Sequence, residues 1–215
     1  LLAAFLGYVV RLLLARSLPV KDFGLFYAVF AFLSLIGFFK GFGLDSSLVK
    51  FIPEFKYKNK NDSIKSSIIY VAVVLLIINL IIIAIIYLLS NYLSINFFHD
   101  ERASQILKLL AFAFFIDSFV IMLKYIFQGY QKMAYFSGID LVRMSLLVIV
   151  IFIMLKLNYG IAGAVLAYIL VPIVLLAIFT FIFLKKVIPD LNKTKFVYDI
   201  NLFKKLNKYG VFIIS

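Results

Sequence analysis

The chain has 215 residues, of which 65% are hydrophobic and only 15% are charged, and its mean hydropathy is +1.12. A soluble domain is roughly 45–50% apolar and about 25% charged, so this composition excludes an ordinary water-soluble globule. The 22 Lys and Arg against 10 Asp and Glu give a net charge of +12, which in so apolar a chain indicates basic loops beside a membrane and not a nucleic-acid partner.

Apolar runs divide the chain into candidate membrane helices, each of which needs about 20 apolar residues to cross a bilayer core about 30 Å thick. The first run, residues 1–14, would span only about 21 Å as a helix. It has no initiator Met and no preceding basic region, so we expect the end of a spanning helix, over about residues 1–15, whose start is missing. The five complete runs are residues 24–44, 67–89, 106–127, 138–157 and 163–184.

A basic linker over residues 185–208 follows the last complete run, and residues 209–215 (YGVFIIS) begin another apolar stretch. The sequence therefore predicts an all-α fold: a polytopic membrane helix bundle with about six transmembrane helices. Because a further helix begins where the chain stops, we expect it to be a piece of a longer protein.

Basic residues are distributed unequally between the two sides of this predicted bundle. One side carries thirteen: Lys50, Lys56, Lys58, Lys60, Lys65, Lys132, Lys185, Lys186, Lys193, Lys195, Lys204, Lys205 and Lys208. The other side carries five: Arg16, Lys21, Arg102, Lys108 and Lys156. By the positive-inside rule the lysine-rich side is cytoplasmic. We therefore expect a multi-pass protein of the cell membrane with a cytoplasmic N-terminus.

Ionisable residues inside the apolar runs are the candidate functional groups, because such a group costs a few kcal/mol in a membrane and usually faces a cavity, a partner or the interface. Asp117 lies near the middle of its run, and Lys124 follows almost two helical turns later on nearly the same face. This polar stripe either lines a cavity that contacts a head group or passes protons, or it holds the bundle together through a salt bridge to a neighbouring helix.

Arg11 and Lys40 are the other two candidate substrate-binding residues. Arg11 can clamp phosphate oxygens in a bidentate manner. Lys40 can contact a ligand or extend its ammonium group to the interface. Arg16 is interpreted as an interface anchor.

The remaining polar and backbone signals have mainly structural interpretations. Asp140 and Arg143, spaced i, i+3, can pair with each other on one helix. Asn79 predicts a hydrogen bond within the bundle. Pro172 predicts a kink and a possible hinge. Gly160 and Gly163 give small-xxx-small spacing with Ala164 and Ala167, which predicts a closely packed neighbouring helix.

Several strings, in order, resemble the polysaccharide biosynthesis proteins, a branch of the multidrug/oligosaccharidyl-lipid/polysaccharide exporter superfamily. They are residues 14–26 (LARSLPVKDFGLF), 43–54 (GLDSSLVKFIPE), 128–143 (QGYQKMAYFSGIDLVR), 159–168 (YGIAGAVLAY) and 206–215. The first is similar to the turn between helices one and two of that family, except that Pro19 replaces the usual Gly.

The resemblance implies a flippase of twelve to fourteen helices in two six-helix lobes, of which this chain supplies most of the N-terminal lobe. Such proteins move undecaprenyl- or dolichyl-linked saccharides across the cytoplasmic membrane, so a lipid-linked saccharide and the bilayer are the implied partners. Polysaccharide-assembly proteins are possible further partners.

The charges inside the runs favour this function. Four cations, namely Arg11, Lys40, Lys124 and Arg143, accompany two acids, Asp117 and Asp140, and a cationic excess suits a pyrophosphate-linked lipid. A cation-coupled multidrug exporter of the same superfamily, which needs unpaired acids facing its cavity, is the alternative transporter. A non-transporting membrane scaffold for polysaccharide assembly is the third hypothesis.

Catalytic, metal and cofactor sites are not expected. Cysteine is absent and His99 is the only histidine, so no disulfide scaffold, Cys nucleophile or multi-ligand zinc or haem site can be assembled. The chain also lacks a phosphate-cradling Gly-Lys motif and the components of a Ser/His/Asp set. We therefore expect no enzyme activity.

Overall fold

The chain folds as a bundle of α-helices in the computed structural model, which describes residues 1–37, 43–187 and 194–214. The helices are α1 (Leu2–Ser17), α2 (Val20–Gly37), α3 (Leu44–Tyr57), α4 (Asn61–Asn96), α5 (Arg102–Gly129), α6 (Met133–Lys156), α7 (Gly160–Ile182) and α8 (Ile200–Ile214). A short π-helical turn, Phe183–Val187, extends α7. No strand occurs within these ranges, which confirms the predicted all-α class.

Within the described ranges, five helices are long and apolar enough to cross a membrane: α2, α4, α5, α6 and α7 with its π-helical extension. The α1 helix, with 16 residues, is shorter than a full span. The α4 helix has 36 residues, or about 54 Å, so it exceeds the bilayer core at its ends. Helical hydrogen bonding therefore continues beyond the apolar run that hydropathy alone detects.

The α5 helix lies at the centre of the bundle. More than half of its spanning stretch (56%) is buried, against 17% for α4 and for α6. It packs against α2, α3, α4, α6 and α7, while α1 packs mainly against α6. The outer helices expose large apolar side chains such as Ile81, Leu88 and Phe152, as expected for helices that are solvated by lipid tails.

Tight turns connect α3 to α4, α5 to α6 and α6 to α7. At each helix end a residue has a positive φ: Asn59 after α3, Gln131 after α5 and Asn158 after α6. The next amide then donates to a carbonyl five residues back, as in Lys60 N to Phe55 O at 2.9 Å. These are Schellman-type ends, which satisfy terminal carbonyls and reverse the chain in a few residues. The consecutive helices are therefore antiparallel neighbours.

The α3 and α8 helices form an amphipathic layer at one end of the bundle. Leu202, Phe203 and Leu206 of α8 are buried, and the Phe203 ring stacks on Tyr70 of α4 at 4.2 Å between centroids. Residues 194–197 dock on the start of α4, where Asp62 accepts from the Lys195 amide and Ser66 from the Val197 amide. The last part of the predicted basic linker is thus helical and packed.

Small residues of α7 have two different roles. A Cβ at Gly163 would lie 2.8 Å from Cβ of Met154 in α6, so Gly163 permits the close approach that its spacing predicts. A Cβ at Gly160 would meet nothing within 4 Å, but this residue has φ +53°. The packing interpretation of Gly160 is therefore wrong, because the residue serves the backbone of the turn.

Candidate functional site

A cavity of about 210 Å³ lies inside the bundle, between four of its helices. Its wall comprises Phe30 and Ser34 of α2, Ala113, Phe114 and Asp117 of α5, Arg143, Met144 and Leu147 of α6, and Tyr168, Val171 and Pro172 of α7. The wall is mostly apolar and aromatic. Its charged members are Asp117 and Arg143, both about half-way along their helices.

The Asp117 carboxylate and the Arg143 guanidinium form an ion pair across α5 and α6. Arg143 Nη2 lies 2.9 Å from Asp117 Oδ1, and the two side chains are only 19% and 21% exposed. The orientation is nevertheless unfavourable for hydrogen bonding, since Asp117 Oδ1 and Arg143 Nε are both buried and lack a hydrogen-bond partner. The pair is thus attractive in charge but incompletely satisfied in hydrogen bonding, an arrangement that is costly at low dielectric.

A second ion pair links the same two helices nearer their connecting turn. Lys124 Nζ lies 2.5 Å from Asp140 Oδ2 and also sits over the Phe136 ring, 4.7 Å from its centroid. Neither Lys124 nor Asp140 lines the cavity. The predicted pairing of Asp140 with Arg143 is therefore wrong, because each residue instead reaches an opposite charge on α5, where two helices packed side by side bring the charges closer.

Arg11 is exposed on α1 and forms no ion pair within the described residues. Its guanidinium carbon lies 5.2 Å from the centroid of the Tyr27 ring, a cation–π contact. The Tyr27 ring touches Phe26, and Phe26 in turn touches Tyr168 of the cavity wall. A continuous row of aromatic rings therefore connects Arg11 to the cavity.

The four predicted substrate-binding residues thus occupy different places. Asp117 lines the cavity, Arg11 is joined to it by aromatic rings, and Lys124 lies in the separate ion pair. Lys40 falls outside the described residues. Sequence reasoning did not select Arg143 and Tyr168 as cavity residues, because helical spacing along one segment cannot report which neighbouring helix will face it.

Pro172 and Asn79 are two further residues that the sequence singles out within the apolar runs. Pro172 has no amide hydrogen, so the Tyr168 carbonyl one turn earlier lacks its usual helical donor. Both residues line the cavity. Asn79 of α4 is buried and donates to Leu75 O one turn earlier in its own helix at 2.7 Å, so this hydrogen bond does not bridge two helices.

A charge network joins the α1–α2 turn to the α4–α5 loop at one end of the bundle. Arg102 donates to Asp22 at 2.7 Å and to Asp100 at 2.9 Å and 3.0 Å, and Lys21 lies 3.4 Å from Asp100. The hydrogen bonds from Arg102 hold the pKa of Asp100 well below its usual range. These two loops therefore lie on the same side of the bundle.

Comparison with known proteins identifies the group to which this fold belongs. The family model described as polysaccharide biosynthesis protein matches residues 1–215. The chain belongs to the polysaccharide biosynthesis protein family. The family resemblance of the sequence motifs is thereby confirmed, and together with the five apolar helices it establishes a multi-pass membrane protein.

A curated relative is also described as a membrane protein. An uncharacterized membrane protein of Methanocaldococcus jannaschii is 30% identical over 224 residues, which cover 99% of this chain and 44% of the relative. The chain therefore spans less than half the length of this other protein. No solved structure matches the chain.

Proposed function

We propose that this chain is part of a transporter that flips lipid-linked oligosaccharides, the precursors of polysaccharides, across the cell membrane by alternating access. The observation that carries the proposal is the cavity at Asp117 and Arg143, which places charged groups inside a membrane bundle. Ionisable residues at this depth usually belong to a substrate or ion pathway, because they are costly elsewhere. Because the family and the helical membrane fold are transporter-like, we expect no catalysis by this chain.

The charge balance supports an anionic substrate. The two acids within the apolar runs, Asp117 and Asp140, each have a cationic partner. A drug exporter for organic cations would need a free acid instead. Arg11, by contrast, has only an aromatic contact within the described part of the chain, so its charge is available to a phosphate group. A scaffold would need no such unpaired charge.

The test is flipping of a fluorescent lipid-pyrophosphate-oligosaccharide by the full-length protein in liposomes. We expect Arg11→Ala to reduce the flipping rate at least about tenfold, since a charge-assisted contact to phosphate is lost. Arg16→Ala is the matched control, because Arg16 lies on the same helix, is exposed and has no ion pair among the described residues. It should keep the wild-type rate.

Two results would contradict the proposal. A folded wild type that flips none of several lipid-linked saccharides would favour the scaffold. Transport of organic cations that depends on Asp117 would favour the drug exporter.

A further inference from the structure

We propose that the cavity is a binding subsite for a phosphate group joined to an apolar chain. When the subsite is empty, the Asp117 carboxylate pairs with Arg143 in place of this phosphate. The inference rests on the proposed function and specifies which part of the substrate this half of the transporter recognises. It assigns Asp117 the role of an internal competitor of the ligand.

Arg143 retains hydrogen-bonding capacity that Asp117 does not use. A guanidinium group presents donors in a planar fork that matches two oxygens of a phosphate or carboxylate. Here Asp117 approaches Nη2 at 2.9 Å without a well-directed hydrogen bond, and the buried Nε has no partner. A phosphate that takes both Nε and Nη2 would satisfy the donors that the carboxylate leaves unsatisfied.

The rest of the wall indicates what the phosphate is attached to. The rings of Phe30, Phe114 and Tyr168 provide apolar surface, and Phe30 packs edge-on against both of the others. The Ser34 hydroxyl already donates to the Phe30 carbonyl. Apart from the ion pair, the wall offers a sugar ring only the Ser34 and Tyr168 hydroxyls, whereas a hydrocarbon chain needs no hydrogen-bonding partner.

The size of the cavity agrees with this assignment. At about 210 Å³ it is smaller than the roughly 300–1,000 Å³ of pockets that hold drug-sized ligands. An oligosaccharide does not fit, but a phosphate with the first carbons of a lipid chain does. The subsite would therefore recognise the junction between phosphate and lipid, and would be indifferent to the sugar.

If Asp117 competes with the ligand for Arg143, then replacing Asp117 and replacing Arg143 should change the affinity for the ligand in opposite directions. Removing the charge of Arg143 removes the attraction for phosphate. Removing the charge of Asp117 frees Arg143 and also removes repulsion between two anions. A merely structural ion pair predicts no such difference, since loss of either partner would then disturb the same contact.

The experiment measures binding of farnesyl phosphate to the purified full-length protein in nanodiscs by calorimetry. We expect Asp117→Asn to tighten the dissociation constant about tenfold and Arg143→Gln to weaken it at least about tenfold. Asp140→Asn is the matched control, because Asp140 is paired with Lys124 outside the cavity. It should leave the affinity unchanged.

Two further ligands separate the possible sources of binding. Farnesol lacks the phosphate and inorganic pyrophosphate lacks the chain, so both should bind at least about tenfold more weakly than farnesyl phosphate. Equal binding of farnesol, equal binding of pyrophosphate, or weaker binding by Asp117→Asn would each overturn the inference.

Folding and the proposed function are controlled separately. If Arg143→Gln does not fold, Asp117→Asn/Arg143→Gln, which removes both charges, should fold and bind weakly; tight binding by this variant overturns the inference. Farnesyl phosphate binding with the expected variant pattern, but without flipping of any saccharide, would retain the subsite and reject the flippase. If the protein flips saccharides but Asp117→Asn weakens and Arg143→Gln tightens farnesyl phosphate binding, the flippase is retained and the subsite is rejected.

Discussion

At the scale of single residues, Asp100 offers a test of the charge network that ties the α4–α5 loop to α2. Its pKa is lowered by hydrogen bonds from Arg102, so the folded state binds its proton less readily than the unfolded state. The contribution to stability is present above the ordinary Asp pKa of about 3.9 and decreases as the pH falls below it.

We expect Asp100→Asn to lower the thermal unfolding midpoint at pH 6 by about 1–2 °C, since ion pairs near the surface contribute little each. The difference from wild type should shrink steadily as the pH falls below about 4, because the Asp100 carboxyl then takes up a proton in the unfolded chain while it stays ionised in the folded protein. Glu101→Gln is the control, because Glu101 is the exposed neighbour and has no ion pair among the described residues. A difference that grows on acidification would contradict this assignment.

The charged residues also mark the limit of what the sequence could predict at this scale. Its position in mid-span identified Asp117, and a salt bridge to a neighbouring helix was one of its two interpretations. The identity of that partner, Arg143, was not predictable. The i, i+3 spacing predicted that Arg143 would pair with Asp140. The packing of α5 against α6 instead brings Asp117 to Arg143 and Lys124 to Asp140.

At the scale of helices, Gly43 controls how α8 docks on α3. It has φ +64°, and a Cβ at this position would run into the carbonyl oxygen of Gly210 in α8. The same contact region includes Lys50, whose ammonium group lies 4.2 Å from the centroid of the Tyr209 ring. Two glycines thus permit a close approach that neighbouring side chains then stabilise.

Gly43→Ala should destabilise this contact by about 1–3 kcal/mol, because alanine meets both an unfavourable φ and a clash with backbone. Trypsin should then cleave faster at Lys195, Lys204 and Lys205, which are exposed beside or within α8. Gly138→Ala is the control, since a Cβ there meets nothing within 4 Å. An alanine at Gly43 that leaves cleavage unchanged would show that α8 does not depend on this approach.

Helix existence was easier to predict than helix extent. Hydropathy detected the long apolar helices, but α4 begins at Asn61, six residues before its apolar run, and α8 begins at Ile200 within a lysine-rich segment. Polar flanks and amphipathic helices carry no continuous apolar signal. Their ends are determined instead by turn residues such as Asn59 and by surfaces that form only in the folded bundle, such as the contact of Phe203 with Tyr70.

At the scale of the whole molecule, the distribution of lysine predicts the orientation in the membrane. The α1–α2 turn and the α4–α5 loop meet in the Arg102 network, while the start of α4 meets residues 194–197 at the other end. The bundle thus keeps the lysine-rich segments and the loop with Arg102 on opposite sides. Because basic loops resist translocation, the lysine-rich side should be cytoplasmic.

The absence of cysteine from these 215 residues makes this orientation directly measurable. Single replacements Glu101→Cys and Asn158→Cys should react with a membrane-impermeant maleimide on intact cells, in a full-length protein whose other cysteines, where present, are replaced by serine. Lys58→Cys and Lys132→Cys should react only after permeabilisation. All four positions are exposed, so accessibility depends on the side of the membrane and not on burial. The reverse labelling pattern would place the N-terminus outside, and the amphipathic layer of α3 and α8 would then face the exterior instead of the anionic inner leaflet.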